Sequence, residues 1–272
     1  MKKWVVLFLA LVFAAGFGGT ALADTLADVK AKGVMVFGVR DSIHGFGYID
    51  EKSRELIGYD VDFCKAIAKK LGVKAEFKPL TGATRIPQLL SGNVDLVAAT
   101  MTKTEERAKQ IDFSYTYFLT GQKFITRKGT VKTLADLEGK KIGTAKGTTS
   151  EQNVKKALPS ATVQAFDEHA PSFLALQQGK VFAITTDESI LANILSIAPD
   201  KDKYEIPNIR ISDEPYGLGL RKGDTNLLKF VNATLLEMEK TGEAKQIFDK
   251  WFGPKGKAFS MNRGDFKIVA DK

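Results

Sequence analysis

Gly58–Leu71 reads G-Y-D-V-D-F-C-K-A-I-A-K-K-L. Val61, Cys64, Ile67, Ala68 and Leu71 recur at helical spacing, so the segment is an amphipathic helix, and Gly72 stops it. Val34–Arg40 (V-M-V-F-G-V-R) before it reads as a strand, as does Lys74–Leu80 behind it. Arg85–Ser91 is a short helix with Pro87 in its first turn, and Asp95–Thr100 is the next strand. A β-α-β-α-β alternation predicts a parallel sheet covered by helices.

A second series follows residue 120. Leu134–Leu137 is a helical turn. Strands are expected at Lys141–Thr144, Val163–Phe166, Phe182–Thr186 and Tyr204–Ile206, and helices at Ser150–Leu158, Pro171–Gln178 and Glu188–Ala198. The tail, Leu227–Glu239 and Glu243–Trp251, is helical. No Pro/Ser-rich linker separates the two series, so strands crossing between two α/β units are expected near Leu119–Lys123 and Asp213–Gly219. Gly217 and Gly219 offer backbone freedom there for rotation.

The chain has 272 residues and a formal charge of +8. Residues 1–23 have the form of an export signal: Lys2 and Lys3, an apolar core from Trp4 to Phe17, and Ala21-Leu22-Ala23 as a cleavage site. Cleavage near Ala23 takes away two lysines and no acids, leaving +6. The remaining lysines and arginines are interleaved with acids, with no basic stripe, so nucleic acid is not expected as a partner. Cys64 is the only cysteine, and His44 and His169 are the only histidines. Neither a disulfide nor a zinc site is expected, and no cofactor is called for. An exported, soluble monomer is the expectation.

Thr100–Arg107, T-M-T-K-T-E-E-R, follows the Asp95–Thr100 strand. In an extended chain the hydroxyls of Thr100, Thr102 and Thr104 share one face. Arg107 adds a planar fork of donors matched to a carboxylate. The segment has the chemistry of a receptor for a small carboxylate.

Three blocks, in order, resemble the amino-acid-binding proteins of bacterial ABC uptake systems (solute-binding proteins of family 3). They are Gly58–Leu71; T-M-T-K-T-E-E-R-A-K-Q-I-D-F-S at 100–114; and G-T-T-S-E at 147–151 with the strand and acid at Phe182–Asp187. The C-terminal G-L-G-L-R-K-G-D and T-G-E-A-K-Q-I-F-D-K-W-F are similar too. The resemblance implies a two-lobed α/β fold, each lobe a mainly parallel sheet flanked by helices, joined by two crossing strands. Lobe 1 would take residues 24–119 and 217–272, and lobe 2 residues 120–216. The ligand would lie between the lobes and the closed form would dock on a membrane permease in the periplasm.

On that resemblance Arg107 clamps the α-carboxylate, helped by Thr100 and Thr102, with Thr148 approaching from lobe 2. Thr149-Ser150-Glu151-Gln152 also fits a capping box. Asp187 takes the ammonium, with an N-cap as its plainer role. Arg40, Arg85 and His169 would read the side chain, and with G-T-T-S-E and H-x-x-S-F they resemble the glutamate/aspartate-binding branch. The expected ligand is therefore an acidic amino acid. Gly82 and Ala145 stand where that branch suggests hydroxyl residues, which leaves glutamine or another polar amino acid as the alternative. Phe46 and Tyr48 form either a wall against the ligand or part of the core. Two rivals share the architecture: a small dehydratase, for which no nucleophile, base or metal set is visible, and a sensory module. No phosphate loop is present, so ATP hydrolysis belongs to a partner.

Overall fold

A computed structural model describes residues 24–271; the expected export signal lies outside them. The chain opens with α1 (Thr25–Lys32), then β1 (Val34–Val39) and a small antiparallel sheet of β2 (Ser42–Ile43), β3 (Gly47–Ile49) and β4 (Leu56–Ile57). Helix α2 (Tyr59–Leu71) follows, buries Val61, Cys64, Ile67 and Ala68 of its expected stripe, leaves Leu71 half-buried and ends at Gly72. Then come β5 (Lys74–Pro79), α3 (Arg85–Leu90), β6 (Leu96–Ala98), α4 (Glu105–Ala108) and β7 (Ile111–Phe113).

The long β8 (Phe118–Arg127) leads into the second series. It comprises β9 (Lys141–Ala145), α5 (Thr149–Ala157), β10 (Thr162–Phe166), α6 (His169–Gln177), β11 (Ala183–Asp187), α7 (Glu188–Ile197), β12 (Tyr204–Glu205) and β13 (Ser212–Tyr216). The chain then returns with β14 (Gly219–Arg221), α8 (Thr225–Thr241) and α9 (Glu243–Phe252).

The first sheet runs β5-β1-β6-β14-β7, parallel through β5, β1 and β6 and antiparallel at β14. The second runs β10-β9-β11-β8-β12, with β13 also paired to β8. Its β10, β9 and β11 are parallel, and β8 is antiparallel to β11, β12 and β13. Each sheet is thus parallel where helices cross over it and antiparallel where the connecting strands enter. This is the two-lobed periplasmic-binding-protein fold.

Strands β8 and β13 pair from Ser212–Gln122 to Tyr216–Phe118, overlapping the two expected crossings and beginning one residue before each, at Phe118 and Ser212. Gly217 and Gly219, however, lack the positive φ of a freely turning glycine. Their contribution is close packing: a Cβ on Gly219 would lie 2.4 Å from Met101 Cε.

At the base of the crossing sits a cluster of buried aromatic rings. Phe46, Tyr59, Phe118, Tyr216 and Phe252 are each at most 2 % exposed. Phe46 meets Phe118 edge-on at 5.0 Å and Phe252 at 4.9 Å, and Phe118 stacks on Tyr216 at 5.4 Å. Phe46 is therefore core. Tyr48 packs on His44 and Trp251. The cluster joins the start of β8, the end of β13 and the C-terminal α9. Phe252→Ala should cost about 3–5 kcal/mol. Urea unfolding would show this as a lower midpoint at unchanged slope.

Candidate functional site

Arg40 directly follows β1, Thr100 lies just past β6, and Asp187 ends β11. Beyond the carboxyl ends of strands is where open α/β sheets hold ligands. The chain at Thr100 is not extended. Thr100 has φ +46, a left-handed conformation rare for a β-branched residue. Its peptide groups are held from two sides. The Thr100 N–H donates to buried Asp60 Oδ2 at 3.0 Å, and Arg85 Nη1 donates to the carbonyls of Ala99 (2.8 Å) and Thr100 (3.1 Å). The shared hydroxyl face is lost in consequence. Thr102 Oγ1 donates to Glu214 Oε2 at 2.5 Å, while Thr104 caps α4 by accepting from the Arg107 N–H.

The second lobe meets this edge at Gly147. Arg107 Nη1 donates to Thr102 O (2.8 Å) and its Nη2 to Gly147 O (3.1 Å); Arg85 Nη2 reaches the same carbonyl at 3.3 Å. Gly147 has φ +71, and a Cβ there would lie 2.6 Å from the Ala83 backbone, so two reasons require glycine. The opposing Gly82 is as constrained: a Cβ would come within 2.7 Å of Lys146 O. A serine in place of Gly82 would not fit this approach.

Thr148 occupies the N-cap position of α5, but its hydroxyl donates to Ala145 O at 2.7 Å and makes no capping bond. The expected capping box on Thr149 does not form either. Thr149 Oγ1 donates to Glu214 Oε2 at 2.8 Å. Asp187 is the N-cap residue of α7, again without a capping bond. Its Oδ2 accepts from the Tyr216 hydroxyl, and its Oδ1 is buried without a partner. Burial lifts the Asp187 carboxyl to about 7, helped by Glu214 and opposed by the Tyr216 hydroxyl, Arg85 and Arg107.

Arg40 is 3 % exposed and forms an ion pair with Glu168, the residue before α6. Its Nε is buried and unpartnered. His169 begins α6 and is 7 % exposed. Burial, with Arg40 and Arg85 nearby, holds it down at about 3, so it is neutral at physiological pH. His169 also lines a mainly apolar pocket of about 220 Å³ with Ile43, Phe173, Ile190 and Asn193.

The structure thus gathers Arg40, Arg85, Thr100, Thr102 and Arg107 on one side, and Thr148, His169 and Asp187 on the other. Three carboxylates were missed. Asp60 lies at the helical spacing of Cys64, Ile67 and Leu71, and a charge in line with an apolar stripe was its signal. Burial raises its carboxyl to about 7, against the Tyr117 hydroxyl and the Thr100 N–H. Glu214 sits in the second crossing, where a buried acid needs partners; it accepts from Thr102, Thr149, Asn153 and Ser212. Glu168 gave no signal, because its partner is 128 positions away.

The sequence matches the family described as bacterial extracellular solute-binding proteins, family 3, over residues 35–254. The chain belongs to that family. It is 39 % identical over 260 residues to the ABC transporter glutamine-binding protein GlnH of Bacillus subtilis (strain 168), covering 92 % of this chain and 94 % of that one. It is 33 % identical over 270 residues to the glutamate/aspartate import solute-binding protein of Escherichia coli (strain K12), covering 93 % and 89 %. An ancestral arginine-binding protein, solved bound to glutamine, superposes with a TM-score of 0.77 at 44 % identity, covering 81 % of this chain and 98 % of that one. These relatives are named as binding proteins rather than enzymes, each for an amino acid, and GlnH is named for an ABC transporter. The resemblance to the glutamate/aspartate branch is not singled out among them.

Asp187 supplies a test of the site's electrostatics in the family member itself. The folded protein keeps a proton on Asp187 up to about pH 7, whereas an ordinary aspartate loses it near 3.8. The unfolded chain therefore releases this proton first, and native stability falls as pH rises between those values. Asp187→Asn should remove that loss. Its urea midpoint should exceed the parent's at pH 8, by roughly 1–3 kcal/mol of stability, with little gain at pH 4.

Proposed function

We propose that the protein is the periplasmic receptor of an amino-acid importer and captures glutamine in the cleft between its lobes. The observation that carries amino-acid capture is the pairing of opposite groups across the cleft. Arg107 and Arg85 lie on one side, and Asp187, with an unpartnered buried oxygen, on the other. An α-carboxylate would replace the Gly147 carbonyl as acceptor for the two guanidinium groups, forming charge-assisted bonds in place of neutral-acceptor ones. The α-ammonium would donate to Asp187 Oδ1 and draw its proton off. Thr102 and Thr148 flank the carboxylate end. Residues 24–119 and 217–272 would form the lobe that receives the ligand first, and 120–216 the lobe that closes on it. Closure is stabilised only by ligand contacts unique to the closed state.

Two observations favour an uncharged side chain over the acidic one first expected. The relative with 39 % identity is named for glutamine. In addition, Arg40, Arg85 and Arg107 are faced by Glu168, Asp187, Glu214 and Asp60. Arg40, in particular, is already paired with Glu168, so its guanidinium is answered before a second carboxylate arrives. Neutral His169 agrees with that balance. Glutamate is the second reading, and the proximity of Arg40 and Arg85 to His169 supports it.

Calorimetry on protein freed of carried-over ligand by unfolding and refolding tests the proposal, with glutamine, glutamate, aspartate and arginine as titrants. Glutamine should bind tightest, at low micromolar or better, about −8 kcal/mol. Preference for glutamate would establish the second reading, and binding of none would remove both. Arg107→Ala should weaken glutamine binding by roughly 3–5 kcal/mol, because the buried α-carboxylate then loses its partner.

A further inference from the structure

Arg40 and Glu168 come from opposite lobes, and each retains hydrogen-bonding capacity beyond their mutual contact. Arg40 Nε is a buried donor with no acceptor. Glu168 Oε2 accepts from Arg40 and, at 3.4 Å, from Ser42 Oγ, and a carboxylate has lone pairs for further donors. The side chain of Glu168 is 24 % exposed, against 4 % for Arg40, so the acid can adjust while the guanidinium stays fixed. Ser42 and His169, the neighbours of this pair, both line the 220 Å³ pocket.

We infer that the Arg40–Glu168 pair is a reader of the primary carboxamide group, with Glu168 the residue that sets amide against acid. A carboxamide presents one acceptor and two donors on a planar end. Its oxygen takes the orphaned Arg40 Nε–H, and its NH₂ donates to Glu168. A carboxylate end can use the first contact but brings two acceptors toward Glu168, which has no proton to offer. The like charges repel, and Glu168 must then swing away and leave Arg40. Discrimination therefore comes from a built-in repulsive group as much as from an attractive one. Neutral His169, flanking the pair, adds no charge to favour the acid. The inference rests on the proposed capture of glutamine and assigns its selectivity to a residue outside the motifs that mark the binding face.

Glu168→Gln keeps size and the contact to Arg40 but removes the charge. In the full chain, titrated with L-glutamine and L-glutamate separately, the variant should bind glutamate about tenfold more tightly and glutamine about tenfold more weakly than the parent. Glu168→Asp, which retains the charge, should keep the parent's order of preference. Thermal melting of both variants without ligand reads the fold separately: a lowered midpoint is expected, because each variant weakens the acceptor that answers buried Arg40, and binding is compared at a temperature where all three proteins are folded. A glutamine-to-glutamate ratio unchanged within about threefold in Glu168→Gln would overturn the assignment to Glu168 while leaving amino-acid capture intact. A parent protein that prefers glutamate would overturn the underlying reading, and the assignment with it.

Discussion

Buried guanidinium groups must be answered by oxygen, and the arrangement of the cleft follows from that requirement. Arg40 and Arg85 are each 3 % exposed, too deep for water to satisfy their donors. Burial weakens the guanidinium of Arg85, and Arg107 and Arg40 beside it weaken it further, yet arginine stays charged at neutral pH. Each guanidinium therefore fixes whatever oxygen it meets. Arg85 fixes the Ala99 and Thr100 carbonyls and so, with Asp60, the left-handed turn. Arg107 fixes Thr102 and reaches Gly147. Arg40 holds Glu168. Two of these answers come from the other lobe, so the same groups that would recognise a ligand also register how close the lobes stand.

The acids obey the complementary rule. Asp60 and Asp187 are buried and sit near neutrality in their titration. Each is supported by a tyrosine hydroxyl, from Tyr117 and Tyr216 respectively. Tyr216 belongs to the aromatic cluster under the crossing strands, and Tyr117 stacks on its Tyr59. Polar chemistry at the cleft floor is thus bolted to the packing core of the first lobe, and side chains at the floor have little rotamer freedom. The placement of Asp187 against Tyr216 also ties the end of β11 to the end of β13, two strands that flank β8 in the second sheet.

Much of the fold was legible because it rests on periodicity. Long helices such as α2 and α8, and strands such as β1, show their faces in sequence. What was not legible is short or nonlocal. Strands β2, β3 and β4 are two or three residues long and carry no period. The turn at Thr100 defies a β-branched residue's preference and persists because Asp60 and Arg85 hold both faces of it. The eight expected site residues do converge, since motif and strand-end position are local signals. Their partners do not announce themselves: Glu168 and Glu214 act on residues more than a hundred positions away, and an ion pair across lobes leaves no trace in either segment. The hydroxyls of Thr102 and Thr149 turned to Glu214, 112 and 65 positions away, while that of Thr148 turned to the nearby Ala145 carbonyl.

Strand β14 lies between β6 and β7 in the first sheet, although more than a hundred residues separate it from either in the chain. The second sheet, in contrast, draws all of its strands from the single stretch Phe118–Tyr216. A chain emerging from its N-terminus therefore has every strand of the second sheet before the first can be completed. Until Gly219–Arg221 arrive, β6 and β7 expose unpaired edges, and the aromatic cluster lacks Phe252. Domains fold as units as their segments become available. The order of assembly is thus the reverse of the order of synthesis, with the first-made strands waiting longest for their neighbours. The carboxyl end of β6, just before Thr100, gains its β14 neighbour only at that late stage.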